Sequence, residues 1–102
     1  MMLIRRTQIF KDWLLYLRDR QARLRILDRI DRLEYGNPGH TRSVGEGVFE
    51  LKIDYGPGYR VYYISKGDVL IVLLCGGDKS SQVKDIRRAK ELAANLSPEG
   101  LS

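Results

Sequence analysis

Phe49-Glu50-Leu51-Lys52-Ile53-Asp54-Tyr55-Gly56-Pro57-Gly58-Tyr59-Arg60-Val61-Tyr62-Tyr63-Ile64-Ser65-Lys66-Gly67-Asp68-Val69-Leu70-Ile71-Val72-Leu73-Leu74-Cys75-Gly76-Gly77 is the stretch that decides the fold. Phe49, Leu51 and Ile53 alternate with Glu50, Lys52 and Asp54, the period of two that a half-buried strand requires. Gly56-Pro57-Gly58 reads as a turn, with proline at the second position and glycine at the third, where φ must be positive. Tyr59, Val61 and Tyr63 then alternate with Arg60, Tyr62 and Ile64, and Ser65-Lys66-Gly67-Asp68 makes a second turn. The unbroken apolar run from Val69 to Cys75 predicts a strand covered on both faces, ended by Gly76-Gly77-Asp78. Three strands joined by tight turns predict an antiparallel meander.

Upstream the period changes to 3.6. Phe10, Trp13, Leu14 and Leu17 fall at i, i+3, i+4 and i+7 behind Thr7, whose hydroxyl suits a helix N-cap. Ile26, Leu27, Ile30 and Leu33 form a second stripe that stops at Tyr35-Gly36-Asn37-Pro38-Gly39. Residues 8–35 therefore predict two helices, or one broken near Asp19, preceded by a short strand from Met2 to Arg6. Downstream, Ser80 or Ser81 caps a last helix with Val83, Ile86, Ala89, Ala93 and Leu96 on its apolar side, ended by Ser97-Pro98-Glu99-Gly100. The order is β-α-α-β-β-β-α, an α+β chain. No repeat or linker appears, so residues 1–102 are expected to be one domain with an ordered core over about 2–96 and a short tail.

Composition narrows the function. Among 102 residues there is one cysteine, Cys75, which excludes a disulfide scaffold, and no apolar run approaches the length of a spanning helix. No apolar stretch follows Arg5 and Arg6, so a soluble, cytoplasmic protein without membrane attachment is expected. Eighteen basic against thirteen acidic side chains give a net charge of +5, concentrated in residues 1–34 and 79–102. Such a surplus favours a polyanionic partner, nucleic acid first. Arg18, Arg25, Arg29 and Arg32 share one side of the helical stretch, either as a solvated face laced by pairs such as Asp28–Arg32 or as a track for phosphates.

Metal and nucleophile chemistry find little support. His40 is the only histidine and Cys75 the only cysteine, so zinc-ligand spacing is missing and no cofactor is expected. A triad would need His40, in a glycine-rich loop, to meet Cys75 or a serine. Gly76-Gly77-Asp78-Lys79-Ser80 superficially matches the end of a phosphate-binding loop, but the first glycine of that motif would fall on Leu73. What remains is the polar side of the meander. Glu50 and Lys52 share a face, Arg60 and Tyr62 share a face on the next strand, and Lys79 emerges after the buried strand. Two or three cations with a tyrosine can grip a phosphate and stack a base, or can simply form a solvated sheet face with cross-strand pairs.

The segments Gly47-Val48-Phe49-Glu50-Leu51-Lys52-Ile53, Tyr55-Gly56-Pro57-Gly58-Tyr59-Arg60-Val61-Tyr62-Tyr63 and Leu73-Leu74-Cys75-Gly76-Gly77-Asp78-Lys79-Ser80 carry a resemblance, with Asp85-Ile86, Ala89-Lys90 and Phe10-Lys11-Asp12-Trp13-Leu14. Together they resemble the small toxins of the RelE/ParE superfamily, in the HigB-like branch of addiction-module killer proteins. The likeness spans roughly residues 3–96 and implies a RelE-like α+β domain with an antiparallel sheet packed against helices. It implies the toxin of a type II toxin–antitoxin module, a metal-independent endoribonuclease that cuts messenger RNA on the ribosome. The family's sheet-face arginine falls on Arg60, its strand lysine on Lys52 and its basic residue after the last strand on Lys79. These are the expected catalytic residues, with Tyr62, Arg42 and Arg87 as RNA-binding residues. Several members place a tyrosine or histidine near the C-terminus as proton donor, and residues 79–102 contain neither. Tyr59, Tyr62 and His40 are then the candidates. A ParE-like branch poisons DNA gyrase instead, and a non-catalytic basic binding module is a further alternative. The implied partners are the ribosome with its messenger and a HigA-like helix-turn-helix antitoxin. The antitoxin would either mask Lys52 and Arg60 or block ribosome entry from the side of Arg18, Arg25, Arg29 and Arg32.

Overall fold

A computed structural model describes residues 2–96 of the chain. Its elements are β1 (Leu3–Arg6), α1 (Gln8–Leu15), α2 (Arg20–Glu34), β2 (Thr41–Gly45), β3 (Val48–Ile53), β4 (Tyr59–Lys66), β5 (Leu70–Gly77), one 3-10 turn (Lys79–Ser81) and α3 (Gln82–Ala94). The sequence stop at Ser97-Pro98-Glu99-Gly100 and the tail lie outside the described residues. No helix among the described residues is long and apolar enough to cross a membrane.

Both early helices begin on side-chain caps. Thr7 Oγ1 accepts the Phe10 amide at 3.0 Å and donates to the Leu74 carbonyl at 2.6 Å, so one hydroxyl both starts α1 and fastens it to β5. Asp19 accepts the Ala22 amide at 3.1 Å and starts α2, which settles the expected break near Asp19 as a true separation into two helices.

The five strands form one sheet in the order β1-β5-β4-β3-β2. The meander β3-β4-β5 is antiparallel, as its turns predict, and Gly58 takes φ +78° in the first of them. Two features depart from the expected all-antiparallel β-α-α-β-β-β-α arrangement. β1 lies parallel to β5, pairing Leu3 with Leu70 and Arg6 with Leu73, so the sheet is mixed. β2 is an additional strand, paired antiparallel to β3 through the hairpin Gly45-Glu46-Gly47. All three hairpin residues have positive φ, which two glycines accept without strain. Thr41-Arg42-Ser43-Val44 carries a single aliphatic residue, and an edge strand without a buried face has no alternation to read.

Helices cover both sheet faces. α1 and α2 bring Phe10, Leu14, Ile26, Ile30 and Leu33 against Leu51, Ile53, Val61, Tyr63, Ile71 and Leu73. Full burial of a side chain the size of Phe10 or Ile26 contributes about 1.5–3 kcal/mol each. α3 lies on the opposite face, where Ala89 joins Val48, Tyr62, Val72, Leu74 and Cys75, flanked by Ile86, Leu92 and Ala93. Val83, expected on the apolar side of α3, is 75% exposed.

At the end of β5 the backbone passes between two side chains. A methyl group on Gly76 would fall inside the Trp13 indole of α1, and one on Gly77 would collide with the Asp85 carboxylate of α3. Hydrogen atoms at these two positions let a helix from each layer touch the same stretch of strand.

Candidate functional site

The sheet face under α3 holds the polar residues that the alternation places together, and it is closed rather than open. Glu50, Arg60 and Tyr62 are 3%, 6% and 0% exposed. α3 must bury its own apolar side, and α1 and α2 already fill the other face. The polar groups beneath α3 therefore satisfy one another. Glu50 is the hub. Arg42 Nε donates to its Oε1 at 2.9 Å, while Tyr62 Oη at 3.0 Å and Gln82 Nε2 at 2.9 Å both donate to Oε2. One carboxylate thus links β2, β3, β4 and α3. Burial pushes its pKa up, but the hydrogen bonds from Arg42, Gln82 and Tyr62 outweigh burial and hold Glu50 below the usual glutamate value.

Arg60 sits beside this hub. Its Nε is 3.9 Å from Glu50 Oε2, beyond hydrogen-bond range, and is a buried donor without a partner. Its Nη1 donates to the Gly58 carbonyl at 2.6 Å. The buried Nε edge faces the hub, and Nη1 is held by the Gly58 carbonyl. Lys52 stands directly opposite Arg60 in the β3–β4 ladder, and Gly77 stands opposite it on β5. A Cβ built on Gly58 would lie 3.0 Å from Arg60 Nη1 and 3.9 Å from Lys79 Cβ. The Lys79 amide also donates to the Pro57 carbonyl at 3.4 Å. Lys52, Arg60 and Lys79 therefore converge at one end of the sheet, around the Gly56-Pro57-Gly58 turn.

The remaining expected residues divide. Arg87 is exposed on α3 and shares a hollow with Lys79. Arg42 is on the opposite edge of the hub, its guanidinium half exposed and tied to Glu50. Tyr62 cannot stack a base: it is fully enclosed, and burial and the Glu50 charge raise its phenol far above the usual tyrosine value. The same facts remove it as a proton donor. Tyr59 packs edge-on to Trp13 at 6.4 Å, on the α1 side of the sheet. His40 is exposed, with Nδ1 3.8 Å from Asp54 Oδ2, and Asp54 Oδ1 also takes Lys52 Nζ at 3.3 Å. Lys52 holds the Asp54 carboxyl below its ordinary value, with His40 contributing less.

The helical arginines are mostly committed within the fold. Arg29 donates to the carbonyls of Lys52 at 2.7 Å and Pro38 at 2.8 Å, Arg32 pairs with Asp28 at 3.0 Å, and Arg25 lies 4.7 Å above the Tyr55 ring. These contacts favour the solvated, self-paired reading of the stripe. Cys75 is enclosed, and burial pushes its thiol up to about 12, which removes it as a nucleophile at neutral pH. By alternation Glu50 is only a cross-strand partner, and no pattern in the sequence marks Gln82 as its donor from α3. Its available signal was an acid between Phe49 and Leu51 on the same face as Lys52, opposite a tyrosine.

Fold and site together define a small α+β protein with a cationic end built around a buried arginine. Residues 12–97 match the family described as phage derived protein Gp49-like (DUF891), and the chain belongs to that family. It is also similar to an uncharacterized protein of Haemophilus influenzae (strain ATCC 51907 / DSM 11121 / KW20 / Rd), 52% identical over 93 residues that cover 91% of this chain and 94% of the relative.

Proposed function

We propose that the protein is the toxin of a type II toxin–antitoxin module, of the RelE/ParE type, and that it cleaves messenger RNA on the ribosome. The observation that carries this reading is the convergence of Lys52, Arg60 and Lys79 at the Gly56-Pro57-Gly58 turn, around a guanidinium fixed by its surroundings. In the reaction the ribose 2′-hydroxyl gives its proton to a base as its oxygen attacks the adjacent phosphorus, and the bond to the 5′-oxygen breaks as that oxygen takes up a proton, leaving a cyclic phosphate and a 5′-hydroxyl. Negative charge builds on the phosphate oxygens, and cations already in place stabilise it without reorganising. The Nη end of Arg60 binds those oxygens, with Lys52 and Lys79 on either side. His40 takes the proton-donor role because it is exposed beside Lys52 and Asp54, whereas Tyr62 is enclosed. The ribosome supplies the conformation of the messenger and much of the affinity, so free RNA is a poor substrate. A HigA-like antitoxin stores the toxin by covering the cationic end.

Pulse labelling after induction tests the proposal. An early fall in amino-acid incorporation, with messenger fragments carrying 5′-hydroxyl ends, is the expected result. An early fall in thymidine incorporation with translation intact supports a ParE-like gyrase poison instead. No change in either, with no growth defect, leaves a basic binding module and overturns the toxin reading.

A further inference from the structure

Arg60 sits between two groups of basic residues, and the groups differ in whether their charge is already paired. On the α2 side, Arg29 is occupied by backbone carbonyls, Arg32 by Asp28 and Arg25 by the Tyr55 ring. Asp54 stands on that side as well, against Lys52 and His40, so a strand running that way meets a carboxylate. On the α3 side a hollow of about 480 Å³ is lined by Lys79, Lys84 and Arg87, together with Ser80 and Gln82. None of these three cations makes an ion pair or a side-chain hydrogen bond among the described residues. Of the nearby acids, Asp78 accepts the Ser80 amide at 2.8 Å and Asp85 accepts the Ser81 hydroxyl beneath the helix, while Glu91, one turn beyond Arg87, forms no ion pair with it. Lys84 and Arg87 are also a like-charge i,i+3 pair, which works against the helix unless an anion compensates it.

We infer that the RNA strand continues from Arg60 across the hollow between the 3-10 turn and α3, where Lys79, Lys84 and Arg87 grip a second backbone phosphate. This rests on the ribonuclease reading above and gives the bound strand a direction. Lys79 joins the two phosphate positions, since its Cβ and the Arg60 guanidinium both border Gly58. The α2 arginines stay out of the track.

The test is fluorescence anisotropy with a labelled, uncleavable 2′-O-methyl oligoribonucleotide over 50–200 mM potassium chloride. Three proteins are compared: wild type, Lys84→Ala/Arg87→Ala and Arg25→Ala/Arg32→Ala. Each substituted side chain is exposed, and equal melting temperatures check the fold. Each phosphate contact contributes about 0.7 to the slope of log affinity against log salt for a single strand. Removing Lys84 and Arg87 takes away one phosphate contact and should lower the slope by about 0.7, so that wild type loses about 2.6-fold more affinity than the variant across this salt range. The Arg25/Arg32 variant should follow wild type. Equal losses in both variants, or a loss only in the α2 variant, would overturn the inference while leaving the ribonuclease reading in place. Failure of wild type to bind at the lowest salt would overturn the inference, whereas the ribonuclease reading stands or falls on the pulse labelling described above.

Discussion

Replacing Glu50 by glutamine keeps the shape of the hub and removes its charge. The carboxylate accepts three hydrogen bonds, from Arg42, Tyr62 and Gln82. An amide oxygen placed toward Tyr62 and Gln82 retains two of them as neutral bonds, each weaker by about 1 kcal/mol than its charge-assisted counterpart. The amide nitrogen then faces Arg42 Nε, donor against donor, and that bond is lost. Arg42 is half exposed and can turn to water, so its loss adds at most about 1 kcal/mol. The expected destabilisation is about 2–3 kcal/mol at pH 7. For a domain of this size that lowers the melting temperature by about 10–20 °C. The pH dependence carries a second signature. Glu50 titrates below its unfolded value, so its contribution is complete above the ordinary glutamate pKa near 4.3 and is lost as pH falls through the lowered folded value. The gap between wild type and Glu50→Gln should therefore be widest at neutral pH and narrow as pH drops below about 4.3. Thermal unfolding followed by circular dichroism at several pH values measures both. A variant that melts within about 2 °C of wild type at pH 7, or a gap of constant size at every pH, would refute the hub as described.

Arg60→Lys should keep the melting temperature nearer to wild type than Arg60→Ala, yet abolish growth arrest, because an ammonium cannot reproduce the guanidinium fork; a toxic Lys variant would displace Arg60 from the centre of the site. Because Arg60 is buried, unfolding scans of Arg60→Ala should show a loss of about 2–4 kcal/mol. Gly77→Ala forces a methyl group into the Asp85 carboxylate and should yield little soluble protein, whereas normal expression and melting would show that α3 can shift at no cost. Cys75 should resist thiol reagents at pH 8 in the folded protein and react fully in denaturant; rapid native labelling would contradict its enclosure.

The meander was legible because Leu51, Ile53, Val61 and Tyr63 alternate along strands with one face on the helices, and because Gly56-Pro57-Gly58 has a single reading as a turn. The helix cap at Thr7 was legible for the same local reason, whereas Asp19 marked only a possible break and its capping role emerged with the structure. β2 was not, since Arg42 and Ser43 face solvent and its strand character comes from pairing with β3. The parallel direction of β1 depends on where β5 lies, which no local pattern encodes. In the site, Lys52 and Arg60 could be placed side by side from the turn alone. The burial of Arg60 and Tyr62 could not be, because alternation assigns a residue to a face without saying what covers that face. Only the arrival of α3 turns that polar face into an enclosed network.

The pairing of the first strand with the last gives this chain an unusual schedule during its own synthesis. The Thr7 hydroxyl binds the Leu74 carbonyl, 67 residues downstream. At translation rates of 5–20 residues per second, that partner is made about 3–13 s later. Until then β1 has no neighbour, α1 has no sheet to lie on, and Arg60 lacks the strand that forms one wall of its setting. Long-range closure of this kind is a late folding event. On the toxin reading, a nascent chain cannot arrest the ribosome that is making it before β5 has been written, because the active arrangement comes into being only with that strand.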